Sequence, residues 1–405
     1  MRKTLREKWI WIQWPVLFAI CFILPNSTGV AIFYRVLIIL PLFFCFKIND
    51  LRDIWSIAPA RWFLFFCGWM TLTLLWDGLG YKDYQYLGRE LNVLALFYLA
   101  YLFNRYHEER LTEIPLWFLG FGLVGALLIL YDWDGFLNFN SENHHRESSR
   151  GIFGHHVYVG WIIAVLSIVA LDQCQKSRTA VSKSLYLLSF LFLASFTFLV
   201  QARGGYVVLA VGLILVLGFS QPKKNLALIY ASGLAAILLF IYFQSEVLTI
   251  LAKIIERGTS NRFAIWQKGF EEVTQSWQYL VFGHGLSVSP EFKINSFGNY
   301  IFPHYHSFYL NLTFYSGLVG VLIYLILLGK VLLIAIHNQK VHLWGVVLIA
   351  MQIAFITDGD GFFENPSATL LCMLMPMAFI LFSSPSPAKI PSEGEHQTTK
   401  PKASN

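Results

Sequence analysis

Pro303-His304-Tyr305-His306-Ser307-Phe308-Tyr309-Leu310-Asn311 runs directly into Leu312-Thr313-Phe314-Tyr315-Ser316-Gly317-Leu318-Val319-Gly320, and here a long polar stretch gives way to an apolar helix. Two histidines stand at that junction. An ionisable group at the mouth of a membrane helix is costly to desolvate, which makes His306 the first candidate for chemistry. Outward from it, apolar windows long enough to cross roughly 30 Å of hydrocarbon, about 20 residues each, fall near 9–25, 30–47, 60–76, 88–103, 115–132, 152–171, 184–200, 203–219, 225–244, 306–336, 341–357 and 366–383. The expectation is an all-α, polytopic membrane protein with about twelve transmembrane helices. The window that opens at His306 is long enough to tilt or to extend past the bilayer.

Composition agrees. Of 405 residues, 56% are hydrophobic, 17% aromatic and only 13% charged, a balance that a water-soluble fold of this size cannot place on its surface. The formal net charge of +6 is spread in short runs between apolar segments rather than gathered in one stripe, which argues against nucleic acid as a partner. These cations report topology. With a cytoplasmic N-terminus, the inner loops hold Lys47, Arg52, Arg61, Arg105, Arg110, Lys176, Arg178, Lys183, Lys223, Lys224, Lys330 and Lys340, whereas the outer loops hold Lys82, Arg89, Arg146, Arg150 and Arg203. Both termini are therefore expected inside, with the first helix uncleaved. Cys21, Cys45, Cys67, Cys174 and Cys372 lie in apolar spans or a basic loop and outline neither a disulfide framework nor a metal cluster.

Two outer segments exceed what a connector needs. The first, Tyr131 to His156, contains His144, His145, Arg146 and Arg150; the second, about 245–305, is the largest polar excursion of the chain. Within it Phe263, Trp266, Phe270, Val273 and Trp277 recur at helical steps, an amphipathic pattern suited to lying on the membrane surface. Ser260 or Asn261 is placed to cap that helix, with Arg262 in its first turn. Residues 1–383 are read as one transmembrane domain, and 384–405, rich in Pro, Ser and Lys, as a disordered cytoplasmic tail.

Three residues meet on the outer side under this topology. Gln201-Ala202-Arg203-Gly204-Gly205 is a tight turn between two spans, Arg262 lies in the long outer segment, and His306 opens the span after it. Arginine offers fixed donors to phosphate oxygens and stays charged when partly desolvated, while histidine exchanges a proton near neutral pH. Two arginines and a histidine thus suit a diphosphate leaving group and an acid or base. Plainer readings stand beside these: an aromatic-belt cap for His306, a snorkelling anchor for Arg203, a solvated helix residue for Arg262. Arg35, Lys82, Arg89 and His304 are candidate substrate contacts. Asp132, Asp134, His144, His145, His155 and His156, with Asp358-Gly359-Asp360, contain donors for a cation but fit no standard zinc or calcium spacing, so no metal site is assigned. No P-loop or dinucleotide fingerprint occurs, and no cofactor is expected.

The run His306 to Asn311 with Gly317-Leu318-Val319-Gly320 resembles the signature of the O-antigen ligase and polymerase superfamily. Gln201-Ala202-Arg203-Gly204, Asn261-Arg262-Phe263-Ala264-Ile265-Trp266 and Phe282-Gly283-His284-Gly285-Leu286 fall in the order that family shows, over roughly 185–380. The resemblance implies a GT-C-type glycosyltransferase in the bacterial inner membrane, acting on the periplasmic face as a monomer. Its donor would be a glycan on undecaprenyl diphosphate and its acceptor the lipid A–core oligosaccharide. His306 would be the base, and Arg203 and Arg262 the diphosphate ligands, with inversion and no metal. His304, two residues before His306, is a departure that leaves two histidines in contention. Alternatives are a polymerase on the same carrier, a protein O-oligosaccharyltransferase and a polysaccharide or anion transporter.

Overall fold

In a computed structural model the described residues are 3–24, 26–76, 80–132, 153, 156–200, 202–219, 262–290, 292–293, 301–302, 304–359, 361–363 and 365–383. The apolar window 225–244, the tail from 384 and the middle of the first outer segment lie outside them. Eleven of the windows coincide with helices. These are α1 (Lys3–Ile23), α2 (Ser27–Cys45), α4 (Ala58–Thr73), α5 (Tyr81–His107), α6 (Ile114–Asp132), α7 (His156–Lys176), α8 (Ala180–Leu199), α9 (Arg203–Phe219), α12 (Phe308–His337), α13 (His342–Thr357) and α14 (Leu370–Phe382). Shorter helices are α3 (Ile48–Ser56), α10 (Arg262–Val273) and α11 (Trp277–Phe282). The one departure from an all-helical chain among the described residues is a two-residue antiparallel pairing, Phe292–Lys293 with Ile301–Phe302.

Five helical stretches among the described residues are long and apolar enough to cross a membrane: 27–45, 81–131, 157–176, 180–199 and 308–337. The second is α5 and α6 joined through the 3-10 turn Glu108–Glu113. The chain is thus a multi-pass membrane protein. Residues 162–166 of α7 and 370–382 of α14 are buried throughout, so these helices form the middle of the bundle. By contrast α2 exposes Ile32, Phe33, Val36, Phe43 and Phe44, and α8 exposes Val181, Leu185, Leu188 and Phe198, side chains that only lipid can cover at low cost.

Both wide π-turns, Arg35–Ile39 and Leu370–Leu374, stand just before a proline, Pro41 and Pro376. Proline lacks the donor for the regular ladder and its ring presses on the carbonyl four residues back; a wider turn relieves the clash without ending the helix.

The apolar run after His306 is not one continuous helix. Gly317 sits at φ 64°, ψ −173° in the middle of α12. A side chain there is excluded on two counts, since a Cβ would lie 2.2 Å from the Val281 carbonyl oxygen and the backbone is in the left-handed region. The carbonyls that lose their ladder partners are taken up from outside: Phe314 O by His284 N–H (2.7 Å), Tyr315 O by Gly285 N–H (3.1 Å) and Ser316 O by the Trp69 indole (2.9 Å). The Phe282 to Leu286 motif and the Gly317 to Gly320 motif are therefore two halves of one joint.

The helix expected to carry Phe263, Trp266, Phe270, Val273 and Trp277 along one stripe ends at Val273. Ser276 accepts from Tyr279 N–H and starts a new helix, α11. The face of α10 that packs inward is Ile265, Gly269 and Val273, against Tyr305, Leu310 and Phe314, while Phe263, Phe270 and Trp277 are exposed. Small and β-branched residues won the buried face because Tyr305 approaches too closely for an aromatic ring.

Candidate active site

His306 is one residue before the helix rather than in it. Ser307 is the N-cap of α12, and His306 is the one non-glycine residue with positive φ (49°) among the described residues. Such a conformation persists where neighbours over-determine it. On one side Tyr305 is fully buried among Ile265, Val273, Phe292, Phe302 and Phe314, its hydroxyl donating to Glu272 and its N–H to Asn311 Oδ1 (3.0 Å). On the other side the cap holds Ser307. Between two fixed residues, the His306 backbone takes the shape that closes the turn.

The imidazole faces Asp358, which follows the last turn of α13. His306 Nδ1 lies 3.6 Å from Asp358 Oδ1, an electrostatic contact slightly too long for a full hydrogen bond. Arg262 Nη2 donates to Asp358 Oδ2 at 2.8 Å, and Arg262 Nη1 donates to Thr357 O at the carbonyl end of α13, where the helix dipole favours a cation. Burial by itself would raise the Asp358 carboxyl. His306, Arg262 and the Gly359 N–H overcome it and hold the group below its ordinary value, so it is ionised near neutral pH.

His304 stands against His306, ring centroids 4.2 Å apart, and its Nδ1 accepts the His306 N–H at 3.3 Å. It supports the turn through its acceptor nitrogen, whereas His306 presents Nδ1 to the carboxylate. That difference in role separates the two histidines. Nearby, His284 is stacked between Tyr279 and Phe314, and burial lowers its pKa.

Arg203 opens α9 at the same end of the bundle. Gly204 beside it lets the Trp161 indole approach to where a Cβ would be, and Trp161 packs edge-on against Phe355 (5.2 Å), three residues before Asp358. The structure thus joins His306 and Arg262 directly through one acid, sets His304 against His306, and places Arg203 on their side. The other three candidates have their own contacts. Lys82 Nζ reaches Ser289 Oγ (3.4 Å) in the outer segment, Arg89 lies over the Tyr86 ring (4.8 Å), and Arg35, midway along α2, approaches Gly88.

Asp358 was visible in the sequence only as a cation donor grouped with distant histidines; in the fold it is committed to Arg262 and His306. Among the described residues no three metal-binding side chains converge. Asp134, His144, His145, His155 and Asp360 lie outside the described residues. Asn311, the residue that ties the Tyr305 and Gly359 backbones together, was read merely as part of an aromatic run. The available signal was an acid closing one apolar helix and a histidine opening another.

Residues 188–325 match the family model described as O-antigen ligase. No curated protein matches the chain. Arg203, Arg262 and His306 fall within the matched stretch, and Asp358 falls beyond it.

Proposed function

We propose, from the match of residues 188–325 to the O-antigen ligase family model, that this chain is a ligase- or polymerase-type glycan transferase and that it moves an O-antigen or similar glycan from undecaprenyl diphosphate to lipid A–core oligosaccharide. The observation that carries this reading is the His306–Asp358–Arg262 cluster at the mouth of apolar helices. A lipid-borne diphosphate at a membrane surface needs cations and a proton acceptor in one place, and these residues supply them. The wider proposal is a GT-C-type enzyme of about twelve crossings in the bacterial inner membrane, both termini cytoplasmic, the site periplasmic. Residues 1–383 form its membrane domain, with 245–305 as the outer segment and 384–405 as a tail.

In the reaction, the acceptor hydroxyl oxygen forms a bond to the anomeric carbon from the face opposite the leaving group, as the carbon–oxygen bond to diphosphate breaks. The hydroxyl proton passes to His306 and the bonding pair leaves on undecaprenyl diphosphate, giving inversion. With its Nδ1 proton turned to Asp358, His306 keeps a basic Nε2 for that proton, and the ionised carboxylate stabilises the imidazolium that results. Arg262 spends two of its five donors on Thr357 and Asp358; the rest, with Arg203, face the charge building on the diphosphate. Since two guanidinium groups supply that compensation, no divalent ion is required in this mechanism.

Purified protein given undecaprenyl-diphosphate glycan and rough lipopolysaccharide should yield capped lipopolysaccharide and free undecaprenyl diphosphate, undiminished by chelator. Glycan growth on the carrier without the lipid A acceptor would make it a polymerase instead. Activity lost to chelator and restored by magnesium would overturn the metal-free step.

A further inference from the structure

We infer that Asn311 is a positioning residue for His306, acting as a carboxamide clamp between the loop that carries His306 and the turn that carries Asp358; the inference rests on the glycan-transfer reading above. Asn311 lies in the first turn of α12 and is 1% exposed. Its Oδ1 accepts the Tyr305 N–H (3.0 Å) and its Nδ2 donates to Gly359 O (3.0 Å). Tyr305 precedes His306, and Gly359 follows Asp358. One amide group therefore spans the two chain segments whose side chains meet at 3.6 Å.

The chemistry of the clamp is specific. Its two partners are backbone groups of opposite polarity, a donor and an acceptor, and a primary amide presents one acceptor and one donor side by side. A carboxylate would face the Gly359 oxygen with like charge, and an apolar group would leave both partners buried and unpaired. Nor is Asn311 needed to cap its helix, because Ser307 performs that role through Leu310 N–H. Two further bonds run along the same seam, Phe308 N–H to Asp358 O (3.4 Å) and Gly359 N–H to Asp358 Oδ1 (3.1 Å), but neither reaches the residue before His306.

The contact it governs has little to spare. His306 Nδ1 is already beyond ordinary hydrogen-bond length from Asp358, and the His306 backbone is held in the left-handed region. Released from the clamp, Tyr305 no longer forces that conformation, His306 relaxes toward negative φ, and the imidazole swings from the carboxylate. The groups facing His306, namely Asp358 with Arg262 behind it and His304, stay in place; what changes is its aim.

The test uses the full chain in detergent or reconstituted bilayers. Asn311→Leu should lower kcat by roughly 10–100-fold while KM for the lipid-linked donor stays within about twofold, as expected for misaimed chemistry with an intact binding surface. In the same protein, diethyl pyrocarbonate should modify His306 severalfold faster, because the ring is no longer held against its carboxylate. Asn311→Asp, which keeps the Tyr305 bond and sets a negative charge against the Gly359 oxygen, should lower kcat and likewise speed His306 modification. A folded Asn311→Leu protein with normal kcat and unchanged His306 modification overturns the clamp. If that variant does not assemble, a normal kcat and unchanged His306 modification in Asn311→Asp overturn it. Failure of the function reading looks different: the unaltered chain transfers no glycan, or His306→Ala transfers it normally, while the modification rate still decides whether Asn311 holds His306.

Discussion

Two buried aspartates, one at each end of the bundle, bind cations in opposite ways. Asp50 is 2% exposed and accepts from Arg6 (3.1 Å), Arg105 (3.1 Å) and the Tyr98 hydroxyl (2.6 Å). Its partners reach further acceptors as well: Arg6 also donates to Cys45 O (2.7 Å) and Tyr106 (2.8 Å), Arg105 to Asp53 (2.7 Å). Asp358 is 5% exposed, with one tight cation at 2.8 Å and a histidine at 3.6 Å whose side chain is 32% exposed and whose backbone has positive φ. The ends are set by α12, which runs from Phe308 beside the His306 turn, across the Gly317 joint, to His337, and whose far terminus leads to Lys340, paired at 2.8 Å with Glu108 beside Arg105. A closed network fastens α1, α3 and α5 together. The open one leaves a reactive group presented to the surface, and the difference in satisfaction separates a strut from a site.

Four substitutions break or sharpen that contrast, taken from the largest expected effect on turnover to the smallest. His306→Ala should reduce transfer by about 10²–10⁴-fold with normal assembly by size-exclusion chromatography; near-normal turnover would pass the role to His304. Asp358→Asn should lower kcat by roughly 10–100-fold. The imidazolium formed in the step then lacks a facing carboxylate, and turnover equal to that of the unaltered chain would unlink the pair. Arg203→Lys keeps the charge but loses the fork, which should cost kcat/KM about tenfold, the worth of one charged hydrogen bond; full activity would reduce Arg203 to an anchor. Asp50→Ala should leave turnover per folded molecule within about twofold, yet destabilise the protein by about 3–5 kcal/mol by leaving Arg6 buried without its partner, measured as a lower Tm. A catalytic defect in folded Asp50→Ala protein would erase the distinction between the two ends.

Acid stability gives a fainter readout. The Asp358 pKa is held below its ordinary value of 3.8, so its stabilising effect is complete above that pH and is lost as pH falls through the lower folded value. Asp358→Asn should therefore lose less Tm between neutral pH and pH 3 than the unaltered chain, while equal losses would show that other carboxylates dominate.

Much of the architecture could be read from the chain because a membrane helix must be apolar along its whole length, a local property. Eleven windows became helices on that ground alone; His306 and Arg203 stood out as ionisable groups at their mouths, and Arg262 as a cation in the long outer segment. The joint at Gly317 was half legible: the glycine was noted, but its carbonyl partners, His284, Gly285 and Trp69, come from elsewhere in the chain and no periodicity announces them. The stripe through Phe263 and Trp277 misled because aromatic spacing records amphipathicity without saying which face meets protein and which meets lipid. Asp358 was hidden for a related reason, since its meaning comes entirely from two residues far away in sequence.

The residues in order thus establish a helical, multi-pass membrane protein with a histidine and an arginine at the ends of its apolar runs and a second arginine in its long outer segment. Hydrophobicity and charge are carried residue by residue, and they act over the length of a single helix. It took the closed bundle to show that Asp358 and Asn311 stand behind His306 and that Arg262 clasps the end of α13. Those facts depend on distances between segments that meet only when the bundle closes, and short-range polar contacts of about 3 Å leave no trace in the order of the residues that make them.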